Sequence, residues 1–197
     1  MLIDTSRIDQ AMTYNEYRDL LDRLIKINQT TGNNQSEEML HYAKMNLQRM
    51  QRIEKTTIVP LLQQKIEQIK GKYTFLILTE GWCGDAAQIL PILGKLATFN
   101  NNIQLLVLLR DENLDIMDAY LTNGGRAIPK IILLETETLK EITNWGPRPK
   151  EAQKLVWDMK NEGKSHEEIN LQLHTWYAKD KTKTIQAEFI ELLEFCN

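Results

Sequence analysis

Glu80-Gly81-Trp82-Cys83-Gly84-Asp85-Ala86 follows, after Thr79, the apolar run Phe75-Leu76-Ile77-Leu78, and Ile128-Pro129 leads into a second run, Lys130-Ile131-Ile132-Leu133-Leu134. Short, continuous apolar runs of this kind, here 73–78, 103–109 and 130–134, are the mark of strands buried on both faces. Between them the spacing predicts a helix starting near Gly84 and a shorter one over 114–121, closed by Asn123-Gly124-Gly125. The order is therefore strand, helix, strand, helix, strand. It puts Cys83 at a strand-to-helix turn and, about 45 residues later, a proline at the mouth of a buried strand. Residues 141–145 read as a further edge strand, paired to 130–134 through a hairpin at 135–138 and ended by Gly146-Pro147. The fold class is α/β, with a central mixed sheet flanked by helices.

Outside this block the periodicity is helical. Thr13-Tyr14-Asn15-Glu16 has the form of a capping box, and Tyr14, Tyr17, Leu20, Leu21, Leu24 and Ile27 recur on one face after it. Met39, Tyr42, Ala43, Leu47, Met50 and Ile53 form the stripe of a second helix, with Asn34 or Ser36 as its cap. Pro60 opens a third, carrying Leu62, Ile66 and Ile69 and closed by Gly71. After Pro149 the chain is helical again, with Ala152, Leu155, Val156 and Met159 on one face. Ser165-His166-Glu167-Glu168 is a second capping box, opening a helix through Ile169, Leu173 and Trp176, and a last amphipathic segment over 185–195 carries Cys196 at its end. The organisation expected is a helical N-terminal extension over 1–71 packed on the core, a core over 72–160 and a helical C-terminal extension over 161–197, together one compact domain.

The bulk composition narrows the partners. With 42% hydrophobic and 26% charged residues and a net charge of −3, the chain offers no global basic field for nucleic acid or an anionic membrane. No stretch has the length of a membrane span, and the N-terminus meets polar sequence at once, without a signal-peptide pattern. Two cysteines, Cys83 and Cys196, cannot build a disulfide scaffold, and such sparse usage fits a reducing cytoplasm. The histidines, His41, His166 and His174, fall on helices outside the Cys83 loop and share no ligand spacing, so no metal site is expected. No P-loop, G-x-G-x-x-G or G-x-S-x-G occurs.

The chemistry concentrates at Cys83. At a strand-to-helix turn, free N–H groups and the helix dipole favour a thiolate, which lowers a thiol pKa below its free value of about 8.5. Asp85, two residues on, places a second negative charge near the sulfur and opposes that shift. The plain alternative is a small buried residue. Three residues after Cys83, where a C-x-x-C pair has its second thiol, stands Ala86. Pro129 reads from sequence alone as an ordinary trans proline at the start of a strand, since few X-Pro bonds are cis.

Residues 73–152 resemble thioredoxin, and the whole chain is similar to a bacterial family of thioredoxin-like proteins with helical extensions. The resemblance rests on Glu80-Gly81-Trp82-Cys83-Gly84-Asp85-Ala86-Ala87-Gln88 with Pro91, on Leu109-Arg110-Asp111-Glu112-Asn113, on Thr122-Asn123-Gly124-Gly125-Arg126-Ala127-Ile128-Pro129, and on Trp145-Gly146-Pro147-Arg148-Pro149. It implies a thioredoxin-like fold, Cys83 as the attacking thiol, a cis bond before Pro129, a helix kink at Pro91 and a last active-site loop at Gly146. The family's resolving cysteine falls on Ala86 and its buried strand acid on apolar Ile77, so dithiol chemistry in the usual form is not implied. Resolution is then left to a low-molecular-weight thiol as co-substrate or to Cys196, or Cys83 does not cycle.

A cis bond would bring the Ile128 backbone opposite Cys83, where it could pair an extended substrate. Trp82, Gly84, Ile128, Pro129, Trp145 and Gly146 are the expected surroundings of the sulfur, with Trp82 and Trp145 as apolar walls. Arg126 and Arg148 are candidates to clamp the carboxylates of a glutathione-like thiol, while Arg110 is expected to pair with Asp111 or Glu112. Asp85 could relay protons between attacking and leaving sulfurs. The expected activity is monothiol thiol-disulfide exchange on protein or small-molecule disulfides, with no other cofactor. The competing expectation is a redox-inactive binding module that docks an extended peptide or small thiol at the same groove.

Overall fold

The computed structural model describes residues 2–196. In chain order it contains α1 (Thr5–Gln10), β1 (Met12–Thr13), α2 (Tyr14–Lys26), α3 (Glu37–Ile53), α4 (Pro60–Gln68), β2 (Tyr73–Thr79), α5 (Gly84–Ala97) and β3 (Ile103–Leu109). A 3-10 turn at Arg110–Glu112 then leads to α6 (Leu114–Asp118), β4 (Lys130–Glu135), β5 (Glu141–Trp145), α7 (Lys150–Asn161), α8 (His166–Asp180) and α9 (Lys183–Leu192). Among the described residues the strands form one mixed sheet in the order β1-β3-β2-β4-β5. Strands β2 and β3 are parallel, and β4 and β5 run antiparallel to their neighbours. This is a thioredoxin-like α/β arrangement, with helices at both termini. No helix among the described residues is long and apolar enough to cross a membrane.

The apolar runs become the centre of the molecule. Every residue of β2 is buried, as are the first five of β4, because helices cover both faces of the sheet. At roughly 1.5–3 kcal/mol for each large apolar side chain removed from water, these two strands alone anchor the core. The hairpin between β4 and β5 forms at the expected place, with a register shift between Leu133 and Leu134. Sequence reading missed α1 and the short β1, which adds an antiparallel edge beside β3 through Met12 and Val107. Two residues of strand are too few for a periodicity signal.

Helix starts follow their caps. Thr13 and Ser165 both make complete capping boxes, with Glu16 and Glu168 respectively reaching back to the cap N–H. Ser36, rather than Asn34, caps α3, and Pro60 occupies the first turn of α4. Helix α4 ends at Gln68, before Gly71, because Ile69 already turns extended. On α8 the buried positions are Ile169, Leu173 and Tyr177; Trp176 instead stands edge-on to Tyr177, ring centroids 5.2 Å apart. The terminal helices share one apolar core with the sheet: Tyr17, Leu21 and Met50 from the N-terminal part and Leu173, Tyr177 and Phe189 from the C-terminal part belong to it.

Candidate functional site

Cys83 is the N-cap of α5. Its extended backbone, φ −77° and ψ 113°, turns the chain from strand to helix, and its Sγ accepts the Ala86 N–H at 3.5 Å. The thiol in turn donates to the Ile128 carbonyl at 3.2 Å, across a cis Ile128–Pro129 peptide. The Gly146–Pro147 peptide is also cis, which nothing in the sequence reading anticipated. Gly146, at φ +119°, backs this turn so closely that a Cβ there would stand 2.3 Å from the Pro129 carbonyl oxygen. Only glycine satisfies both conditions.

Cys83 is 7% exposed, and burial pushes its thiol pKa up to about 12, with the Asp85 charge acting the same way. The Ala86 N–H and Arg148 pull in the opposite direction with less effect. Burial outweighs the helix-terminus effect, so the resting thiol is protonated at neutral pH.

Asp85 is 6% exposed yet fully partnered. Arg148 donates to Oδ2 from Nε at 3.0 Å and from Nη2 at 2.6 Å, and the buried Tyr177 hydroxyl donates to Oδ1 at 2.5 Å. Gln153 accepts from Arg148 Nη1 at 3.0 Å and fixes the guanidinium. Both Asp85 oxygens are thus engaged by donors, an arrangement that holds the carboxylate in place.

A cavity of about 360 Å³ opens onto Cys83, Gly84 and Asp85. Trp82, Arg110, Arg126, Ile128 and Arg148 line it, and so do Met39, Tyr42 and Arg49 of α3 and His166, Asn170, Leu173 and His174 of α8. The volume is in the range of small-molecule sites. The helical extensions therefore supply half of the wall, and the expectation that His166 and His174 lie outside the site is corrected. They reach it because α8 folds back across the start of α5: a Cβ on Gly84 would stand 2.8 Å from the His174 ring. The sequence signal that could have found them is the spacing of His166, Asn170 and His174, which puts a polar line beside the apolar stripe of α8. On α3 the corresponding signal is Asn46. It is buried within an apolar stripe, donating to the Gly81 carbonyl at 3.1 Å and accepting from Arg49 at 2.7 Å.

The other candidates divide. Arg110 pairs with Asp111 at 2.7 Å, as expected, and also lies over the Trp82 ring, 4.9 Å from its centroid. Arg126 lines the cavity with its charge held by Asp118 through two hydrogen bonds of 2.6 and 2.8 Å. Pro129 is buried behind Ile128 and does not line the cavity. Trp145 is corrected: it is not a wall of the Cys83 cavity. Its indole N–H donates to Glu188 at 2.7 Å and its ring stands edge-on to Phe189, so α9 draws it to the other side of the Gly146 loop. There it lines a second cavity together with Gly146 and Trp157.

Two further residues change the sequence picture. Ile77 is apolar and fully buried, but the neighbouring Glu80 is a buried acid at the end of β2. Its Oε1 accepts the Asp111 N–H at 2.9 Å, and burial raises its pKa. Cys196 is half-buried, with its pKa pushed up to about 12 by burial. Glu194, two residues earlier, pairs with Lys65 on α4, the helix that leads into the start of β2, whereas Cys83 follows the end of that strand. Seven extended residues separate those ends by roughly 20 Å, so Cys196 is not brought to Cys83. Among the described residues, no cluster of histidine, cysteine or acidic side chains could hold a metal ion.

Three comparisons with known proteins bear on this geometry. A family profile described as thioredoxin matches residues 32–163. Among curated proteins none matches. Two crystal structures share the fold: a protein of unknown function from Pseudomonas aeruginosa, with a TM-score of 0.57 and 17% identity, and an HIV epitope scaffold, with a TM-score of 0.56 and 17% identity. Each comparison covers 93% of this chain and 98% of the other.

Proposed function

The chain belongs to the thioredoxin family, and we propose that within it the protein carries out monothiol thiol-disulfide exchange, with Cys83 as the attacking sulfur. The observation that carries the reading is the pairing of the Cys83 thiol with the Ile128 carbonyl at 3.2 Å, on the floor of an open cavity. A disulfide entering that cavity meets the sulfur and a backbone edge together. In the first step Cys83 loses its proton and attacks one sulfur of R–S–S–R′. The Cys83–S–S–R bond forms, the S–S bond of the substrate breaks, and R′S⁻ leaves and takes up a proton. The thiolate of an external thiol R″SH then attacks the sulfur carried by R: the R–S–S–R″ bond forms, the bond from that sulfur to Cys83 breaks, and the Cys83 sulfur leaves as a thiolate and takes up the proton that R″SH gave up. Ala86 removes the internal second step, so the mixed disulfide waits for that external thiol, drawn from protein or small-molecule thiols in a reducing cytoplasm. The burial that keeps Cys83 protonated makes the attack slow at neutral pH and faster as pH rises.

The same raised thiol pKa favours one second reading, a binding module in which the cavity is used and the sulfur does not react. The experiment that separates them uses a Cys196→Ala variant, incubated with a small disulfide at pH 7 to 9 and followed by intact mass. The exchange reading expects a single adduct on Cys83 that accumulates faster with rising pH and is released by an added monothiol. If the folded protein forms no adduct while the denatured chain does, the binding module stands instead.

A further inference from the structure

Four arginines line the Cys83 cavity, and three of them already have carboxylate partners: Arg110 with Asp111, Arg126 with Asp118 and Arg148 with Asp85. Arg49 has none among the described residues. It is nonetheless held in place. Asn46, buried and bonded to the Gly81 carbonyl of the active-site loop, accepts from Arg49 Nη1 at 2.7 Å and ties the guanidinium to the same backbone that carries Cys83. That Nη1 lies 3.6 Å from where a Cβ on Gly84 would be, so the cation faces the first turn of α5. Beside it stands His174, whose Nδ1 is buried with no hydrogen-bond partner. Burial and Arg49 lower the His174 pKa to about 4, leaving the ring neutral at pH 7.

We propose that Arg49, set in place by Asn46 and flanked by His174, is the anchor for a carboxylate of a small organic ligand bound in this cavity. The unpaired charge is single, which matches a carboxylate. A phosphate dianion would keep a surplus charge next to Asp85. The two extension helices favour a small ligand over a protein, because residues of α3 and α8 join Cys83 and Ile128 in lining a cavity of about 360 Å³, the size of a small-molecule site. The inference deepens the exchange reading by naming the chemistry of its substrate. It rests on that reading for the use of the cavity, and not on the reactivity of Cys83.

The test uses S-methylglutathione, which bears two carboxylates and no free thiol, titrated calorimetrically into the full chain and its variants. The expected result is saturable binding to the wild type, kept by Cys83→Ser, reduced about tenfold or more by Arg49→Gln and kept by Arg52→Gln, a change on the same helix but outside the cavity. A probe with both carboxylates converted to amides should bind the wild type at least tenfold more weakly, a readout that needs no variant to fold. The proposal is overturned if the probe does not bind at concentrations up to about 10 mM, if the amide binds equally, if Arg49→Gln binds unchanged, or if inorganic phosphate competes as well as the carboxylates do. Binding to Cys83→Ser without any mixed disulfide on the wild type would remove the exchange reading and leave the anchor intact.

Discussion

Asp85 and Glu80 are acids of nearly equal burial on either side of Cys83, and they are accommodated in opposite ways. Asp85 is met by donors from two distant elements, the Arg148 guanidinium from the loop after β5 and the Tyr177 hydroxyl from α8. Glu80 receives a backbone N–H from Asp111, and burial raises its pKa. Burial disfavours the ionised form of a carboxylate, and a counter-charge buried with it opposes that effect. The difference also assigns a task to the C-terminal extension. Without α8 the Asp85 ion pair would lose its hydroxyl donor and much of its cover, so the extension is part of the site's electrostatics as well as of its wall.

The largest effect is expected from breaking the compensated side. Arg148→Met leaves Asp85 buried without its counter-charge, at a cost of about 3–5 kcal/mol. Urea denaturation at pH 7 should read this directly. The same change removes a group that favours the Cys83 thiolate, so alkylation of Cys83 should slow further. A loss below about 1 kcal/mol would mean that the pair is no more valuable than a surface bridge, and the contrast with Glu80 would collapse. Tyr177→Phe is the smaller version, deleting one hydrogen bond to a charged oxygen for about 1.5–3 kcal/mol.

Asp85→Asn turns the comparison toward reactivity. It removes the charge that raises the thiol pKa while keeping Arg148, which lowers it. Cys83 in a Cys196→Ala background should then alkylate about tenfold faster at pH 8, the equivalent of one pKa unit. An unchanged rate would show that burial alone governs the thiol. The sequence carried both opposing influences on Cys83, dipole and Asp85, but not their outcome. That outcome depends on how deeply α3 and α8 bury the sulfur, and an apolar stripe on a helix does not say which part of the molecule it will cover.

This is also where sequence reading ran out more generally. The strands, the hairpin, the two capping boxes and the Cys83 turn were legible because their signals are local: short apolar runs, a cap three residues from its glutamate, a glycine and proline at a loop. Arg49, His174 and Tyr177 were not, since each reaches the site by a long-range packing of helices against the sheet. Trp145 failed for the related reason that its neighbour in the chain, Gly146, faces the proline turn while the indole is claimed by Glu188 and Phe189. Glu80 was read only as part of a motif. Its burial follows from the loop over 29–35, where Thr31 accepts the Gly81 N–H at 2.7 Å.

The smallest expected effect tests the uncompensated side. Because the folded-state pKa of Glu80 is raised, the native chain binds its proton more tightly than the unfolded chain does. The stability this contributes is fully present below the unfolded carboxylate range, near pH 4, and is lost as pH rises through the higher folded value. Glu80→Gln removes the titration but keeps the shape. The difference in unfolding free energy between Glu80→Gln and wild type should therefore shift in favour of the variant as pH rises from about 4 through the raised folded value, then level off. The shift stays below that of Arg148→Met because the Asp111 N–H still supports the ionised form. A difference that is flat with pH, or that moves in favour of the wild type, would mean that the fold does not favour the protonated form of Glu80, and the contrast with the ion-paired Asp85 would fail.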